Sequence, residues 1–222
     1  MKRVTSIREH ENEPIPGLPE RLPAGEGVVW QGSPRWAPLA KRAFHLRGLA
    51  IYFGVLVAWR VAEGVADGSS WGAALASAWT LLLLAPLCLG VLAGIGYMMA
   101  RSALYTVTNR RVVLRVGVAL PMTINIPFSR IETAAVRRHA DGTEDIVLTL
   151  AKGHRIAWLA LWPHARPWRL TAPEPMLRAL PVTEGAAQVL SRALAASAGQ
   201  EVAAPATDEP RRAIRLPQGA VA

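Results

Sequence analysis

GAALASAWTLLLLAPLCLGVLAGIGYMMA, residues Gly72–Ala100, carries no charged side chain over 29 positions. A helix crosses the hydrocarbon core of a bilayer with about 20 apolar residues, so the run is long enough with turns to spare. Trp71 and Trp79 stand toward its start and Tyr97 near its end, where amphipathic rings favour the water–lipid boundary. Arg101 closes it. The competing reading, a buried helix of a large soluble domain, asks a chain of 222 residues to enclose it. We read a membrane span over about 74–99.

Working outward, Leu46–Ala66 (LRGLAIYFGVLVAWRVAEGVA) is a second span, apolar as far as Trp59 and then carrying Arg60 and Glu63. Residues three apart on a helix can pair. Arg60 is either part of an intramembrane site or, the reading we favour, half of a pair snorkelled to the far interface. Lys41, Arg42, His45 and Arg47 precede the first span, Arg101, Arg110 and Arg111 follow the second, and Glu63–Trp71 contains no Lys or Arg. The positive-inside rule then puts both termini in the cytoplasm and makes residues 46–100 a transmembrane hairpin. The N-terminus has no signal-peptide pattern. Within the second span Pro86 predicts a kink, and Gly90 and Gly94, four apart, offer a close-packing face for helix association and a possible homodimer.

The formal charge is +9, from 25 Lys+Arg against 16 Asp+Glu, with 13 of the basic residues between Arg101 and Arg192. Such an excess beside the membrane suits anionic headgroups, to which Arg35, Lys41, Arg42, Arg47 and Arg101 are candidate contacts. The basic residues are interspersed and no nucleic-acid motif occurs, so nucleic acid is not expected as a partner. Cys88 is the single cysteine, which fits a reducing compartment. The five histidines are scattered, no glycine-rich phosphate loop or nucleophile motif occurs, and Glu132 stands alone, so we expect no enzyme, no metal and no cofactor. No histidine lies in either span, which argues against a pigment carrier.

The rest divides by composition. Residues 1–33 read as a flexible Pro-rich arm in which Val28-Val29-Trp30 is an apolar anchor, a strand added to the later domain. Residues 34–45 read as a helix with Trp36, Leu39, Ala40, Ala43 and Phe44 on one face, lying in the interface or extending the first span. Residues 103–198 read as a small β-domain: Ala103–Thr108 and Val112–Val118 joined by a tight Asn109-Arg110 turn in which Asn accepts positive φ, then strands around Met122–Phe128, Ile131–Ala135, Ile146–Leu150, Ile156–Ala160 and Met176–Leu180. Thr183 is placed to cap a final helix whose buried stripe is Ala186, Val189, Leu190, Ala193 and Leu194. Residues 199–222, rich in Ala and Pro, read as disordered. The fold class is thus an α+β membrane protein, a two-helix hairpin followed by a cytoplasmic pleckstrin-homology-like barrel or sandwich of about seven strands with a C-terminal helix. Between the sixth and seventh strands, Trp162, Pro163, His164, Arg166, Pro167, Trp168 and Arg169 make a stiff aromatic-cationic loop. It is either a docking loop or a plug for the barrel end.

Tyr105-Thr106-Val107-Thr108-Asn109-Arg110-Arg111 resembles the first hairpin of bacterial membrane-tethered pleckstrin-homology (PH) domains. With Glu13–Pro19, Trp30–Trp36, Ala43–Arg47 and Trp162–Arg169 in one order, nearly the whole chain from Glu13 to Leu194 resembles the PuhB family of photosynthetic-complex assembly proteins of purple bacteria. The resemblance implies a non-catalytic inner-membrane factor that helps to build the reaction centre and its light-harvesting 1 antenna, whose subunits would be its partners. It supplies no catalytic residues. The alternative is a membrane-tethered module that binds anionic lipid or another membrane protein.

Overall fold

The structure, a computed structural model, describes residues 17–18, 20–151, 156–169 and 171–203. The N-terminal part of the arm and the tail beyond residue 203 lie outside them, as do residues 152–155. Strand β1 (Val28–Gly32) comes first, then helices α1 (Trp36–Ala43), α2 (Leu46–Ala66), α3 (Trp71–Ser77) and α4 (Trp79–Ser102). Strands β2 (Leu104–Thr108), β3 (Arg111–Val116), β4 (Met122–Pro127), β5 (Ile131–Arg138) and β6 (Thr143–Leu150) follow, then helix α5 (Trp158–Leu161), strand β7 (Met176–Pro181) and helix α6 (Ala186–Ala203).

The strands form two antiparallel sheets, in the orders β1-β2-β3-β4 and β5-β6-β7. Tyr105, Val107, Val112 and Leu114 on the first sheet meet Ile146, Leu148, Leu177 and Leu180 on the second. Leu190 and Ala186 of α6 close the core. The stripe on α6 is the one its 3.6-residue period dictates. α6 does not start at Thr183, which lies in a 3₁₀ turn ending at Gly185. The Glu144 carboxyl reaches from β6 to accept from Ala187 N at 3.2 Å, satisfying one of the N–H groups that the first turn of a helix leaves unpaired.

β1 pairs with β2 across the whole helical excursion, Gln31 opposite Thr106 and Gly32 opposite Tyr105. The domain therefore does not begin at Ala103: its first strand comes from the arm, and the hairpin is inserted between its first two strands. Residues 25–32 are tied down rather than flexible. Glu26 grips Arg111 with bonds of 2.7 and 3.1 Å, and Asn109 accepts from Gly27 N and donates to Gly25 O. That tie is Asn109's task. It is not among the positive-φ residues, because the turn is closed by the Thr108 hydroxyl accepting from Arg110 N and Arg111 N. The expected sixth strand is corrected too, since residues 158–161 form the short helix α5.

Helices α2 and α4 are long and apolar enough to cross a membrane. Ile51, Val55, Trp59, Leu83, Leu87 and Val91 point outward. The uncharged run does not make one helix from residue 74: it breaks at Ala78, and the surplus length becomes α3, capped by the Ser70 hydroxyl. α4 passes through Pro86 without interruption. Arg60 pairs with Glu63 at 3.3 Å.

α1 is not a continuation of α2, because His45 between them adopts φ 52. Its apolar face is covered by protein: Leu39 and Ala40 are buried, Leu39 in a cluster with Ala100 and Ala179. A Cβ at Gly96 would lie 2.5 Å from the Ala40 Cβ, so only glycine lets α1 and α4 approach this closely. Gly90 and Gly94, the expected packing pair, have nothing within 4 Å of such a Cβ. We expect Gly96→Leu to destabilise the purified protein by about 1–3 kcal/mol, as overpacking does. Gly94→Leu should stay within about 0.5 kcal/mol of the parent. Thermal melts in detergent read the difference, and equal melts would refute the α1–α4 packing.

Candidate functional site: the aromatic-cationic loop and the polar seam beneath it

α5 drops Leu161 into the core, after which the chain runs antiparallel to β7 and turns at residues 166–174. Met176 N donates to His164 O and Arg166 N to Glu174 O, so the loop is braced by backbone bonds at its base. Trp162 packs edge-to-face on Phe44, ring centroids 5.6 Å apart, which ties the loop's first residue to the junction of α1 and α2. At the tip, Arg166 and Arg169 converge on one largely buried carboxylate, Glu174, at 2.8 and 3.6 Å. Trp168 between them is 91% exposed and has φ 64. A bulky side chain in that region is strained, and this one fills no barrel end. The plug reading is thereby corrected for Trp168. Leu159 beside the loop is 80% exposed.

His164 is the residue of the set that cannot meet a partner, because it is buried. Tyr105 Oη lies 2.6 Å from its Nδ1 and accepts from Arg178 N at 3.3 Å. The phenolic proton is thus free to point at Nδ1, which assigns the histidine proton to Nε2. Burial, assisted by the Arg178 guanidinium, pushes the His164 pKa down to about 3. Burial likewise raises the Tyr105 pKa, so the pair is neutral. Arg178 donates to Pro163 O at 2.7 Å; burial draws its pKa down, opposed by Asp145 and Tyr105.

Asp145 joins this seam to α1. Its Oδ1 accepts from Ala179 N at 2.7 Å and from Arg42 at 3.0 Å, and its Oδ2 lies 2.8 Å from His139 Nε2. Arg42 also bonds the Thr143 hydroxyl and reaches Asp141 at 3.1 Å. Burial raises the Asp141 pKa, but the hydrogen bonds from Thr143 and the charge of Arg42 outweigh it and hold the carboxyl below its ordinary value. Arg42 is therefore an internal ion-pair partner, its two terminal nitrogens bonded within the domain. Arg35, Lys41, Arg47 and Arg101 remain exposed around the hairpin, Arg101 over the ring of Tyr97. Arg35 also fixes the start of α1, its N–H donating to the carbonyl of Ala179, which takes φ 53 at a bulge.

The structure thus gathers Arg166, Trp168 and Arg169 on one tip and separates Trp162 and His164 from them. Sequence reasoning gave no site role to Tyr105, Asp145, Arg178 or Glu174. The signal that could have found Asp145 and Glu144 is two carboxylates in a strand leading into an apolar run. An open groove of about 350 Å³ between β1 and α6 is lined by Val29, Asn109, Val189, Arg192, Ala193 and Ala196. Among the described residues no group of His, Cys, Asp and Glu could hold a metal ion.

A four-stranded and a three-stranded antiparallel sheet packed face to face, closed by a C-terminal helix, define a PH-type domain. Residues 45–194 match the bacterial PH domain family, and the chain belongs to it. A Rhodobacter capsulatus protein described as an uncharacterized 23.7 kDa protein in the puhA 5′ region is 38% identical over 205 residues, 90% of this chain and 95% of its own. No solved structure matches the chain.

The seam predicts a pH dependence. A histidine kept neutral in the fold, with its pKa depressed from 6.5 to about 3, confers stability that is complete above 6.5 and is lost as pH falls toward 3. The loss is about 1.4 kcal/mol per pH unit. Between pH 7 and pH 5 the parent should therefore lose about 2 kcal/mol more than His164→Asn, by denaturant titration. Equal losses would show that His164 is protonated without penalty.

Proposed function

We propose that this protein is a membrane-embedded, non-catalytic assembly factor for the photosynthetic reaction centre and its light-harvesting 1 antenna. One observation carries the reading: a relative 38% identical over 90% of the chain is encoded beside puhA, a reaction-centre gene. In this reading α2 and α4 cross the bilayer, which is consistent with their outward-facing apolar side chains. In the same reading both termini lie in the cytoplasm of a multi-pass inner-membrane protein, which the charge asymmetry of the loops supports. The hairpin holds nascent helices of reaction-centre or antenna subunits, and the loop tip of Arg166, Trp168 and Arg169 docks their cytoplasmic parts. Trp and Arg are the side chains that dominate interface energetics, and a braced loop loses little entropy on binding.

A second reading, a tethered module for anionic lipid or another membrane protein, is favoured by the exposed cations Arg35, Lys41, Arg47 and Arg101 around the hairpin.

Three experiments test the proposal. Reporter fusions after Thr5 and Gln200 should both report cytoplasm and a fusion at Ser69 periplasm; a periplasmic signal at Gln200 would refute the topology. Deletion of the gene should lower the yield of core complex and leave its spectrum unchanged. Trp168→Ala with Arg169→Ala should do the same while the protein accumulates normally, because both side chains are exposed and Arg166 still answers Glu174. Normal core-complex yield in the deletion strain removes the assembly reading and leaves the lipid module.

A further inference from the structure

The turn between β3 and β4 is an exposed apolar segment outside the hairpin. Leu120 is 83% exposed, and Val118 and Met122 also face outward. No charged residue occurs between Arg115 and Arg130. Gly117 adopts φ 112, and a Cβ there would collide with the carbonyl of Leu120, so the turn is tight and holds that side chain outward. A protein-binding hot spot would be expected to show Trp, Tyr or Arg. This turn offers Val, Ala, Leu, Pro and Met, which suit burial without direction.

Its place in the fold identifies what buries it. Ala103 alone separates α4 from β2, so the sheet starts directly above the hairpin. β3 returns antiparallel and places Arg115 opposite Leu104 and Val116 opposite Met122. The turn therefore extends back past the start of β2, toward α4, which β3 contacts. Phe44, two residues before α2, sits beside Gly96, so the mouth of the hairpin lies at that level and Tyr97–Ser102 rise above it. β3 runs one residue past Arg115, to Val116, and the turn at 117–121 carries the chain further the same way, so Leu120 lies on the hairpin side of the sheet.

We propose that Val118, Leu120 and Met122 insert into the interfacial layer of the bilayer that holds α2 and α4, as a third, shallow membrane contact that fixes the height and tilt of the β-domain. The inference rests on the membrane reading of the hairpin, and the experiment separates the two. Full-length protein with Cys88→Ala receives one cysteine at Leu120, at Leu83 in α4, or at Arg110 at the opposite end of the sheet. Each variant is labelled with an environment-sensitive fluorophore and reconstituted in vesicles of phosphatidylcholine and phosphatidylglycerol. Quenchers are iodide in water and nitroxides at shallow or deep positions on the acyl chain. The expected result is a blue-shifted Leu120→Cys label quenched several-fold more by the shallow nitroxide than by iodide, with Leu83→Cys quenched by the deep nitroxide and Arg110→Cys by iodide. A Leu120→Cys label as open to iodide as Arg110→Cys, with Leu83→Cys still in lipid, overturns the insertion and leaves the hairpin reading intact. A label at Leu120→Cys shielded from iodide and both nitroxides overturns it in favour of a protein cover. Iodide quenching at Leu83→Cys overturns the membrane reading itself.

Discussion

The contact of Ala40 with the backbone of Gly96 is the constraint on which the arrangement depends. It is available only because Gly96 has no side chain, and it brings α1 against the last two turns of α4. With α1 in that place, Leu39 buries against Ala100 and Ala179, Arg42 reaches Asp145, and Phe44 meets the ring of Trp162. One short helix thereby joins the hairpin, the second sheet and the aromatic loop. At the solvent edge of the seam the apolar contact outweighs the ionic one. Truncating a fully buried leucine costs about 2–5 kcal/mol. The half-exposed Arg42–Asp141 bond is worth at most about 1 kcal/mol. The ion pairs give the seam its register, and the packing holds it together.

The same constraint explains the topology. The chain enters the first sheet as β1, leaves through α1 to α4, and returns as β2 to pair with the strand it left. The ladder between β1 and β2 and the α1–α4 contact are the two ends of a clamp around the base of the hairpin. The bonds of Glu26 to Arg111 and of Asn109 to Gly25 and Gly27 extend that clamp beyond the strands. The loop tip at Trp168 and the apolar turn at Leu120 are consequently held at set positions relative to α2 and α4.

Much of this was legible in the sequence. Continuous apolar runs and period-two alternation are local signals, so both long helices, six of the seven described strands and the stripe on α6 could be read from them. The β1 anchor was visible as Val28-Val29-Trp30, yet the pairing that makes the domain discontinuous spans more than seventy residues and has no local trace. The break at Ala78 was hidden because nothing in composition distinguishes the end of α3 from the start of α4. Ile156–Ala160 alternates like a strand but forms a helical turn that feeds Leu161 to the core. At the candidate site, Trp168, Arg166 and Arg169 were visible as residue types. His164 and Arg42 were misread because their partners Tyr105 and Asp145 lie 59 and 103 positions away. Gly90 and Gly94 have the spacing of a packing motif, whereas the close approach within the chain is at Gly96, against Ala40.

The central claim is that the β-domain is mounted rigidly on the hairpin by α1. Pulsed electron–electron distance measurement between spin labels on the native Cys88 in α4 and on a cysteine introduced at the exposed Ala134 in β5 reads it directly. The account predicts one narrow distance distribution in the parent, which broadens when Gly96→Leu displaces α1. A broad or multimodal distribution in the parent would contradict it, because the domain would then swing on Ala103 and the positions of Trp168 and Leu120 over the hairpin would not be fixed.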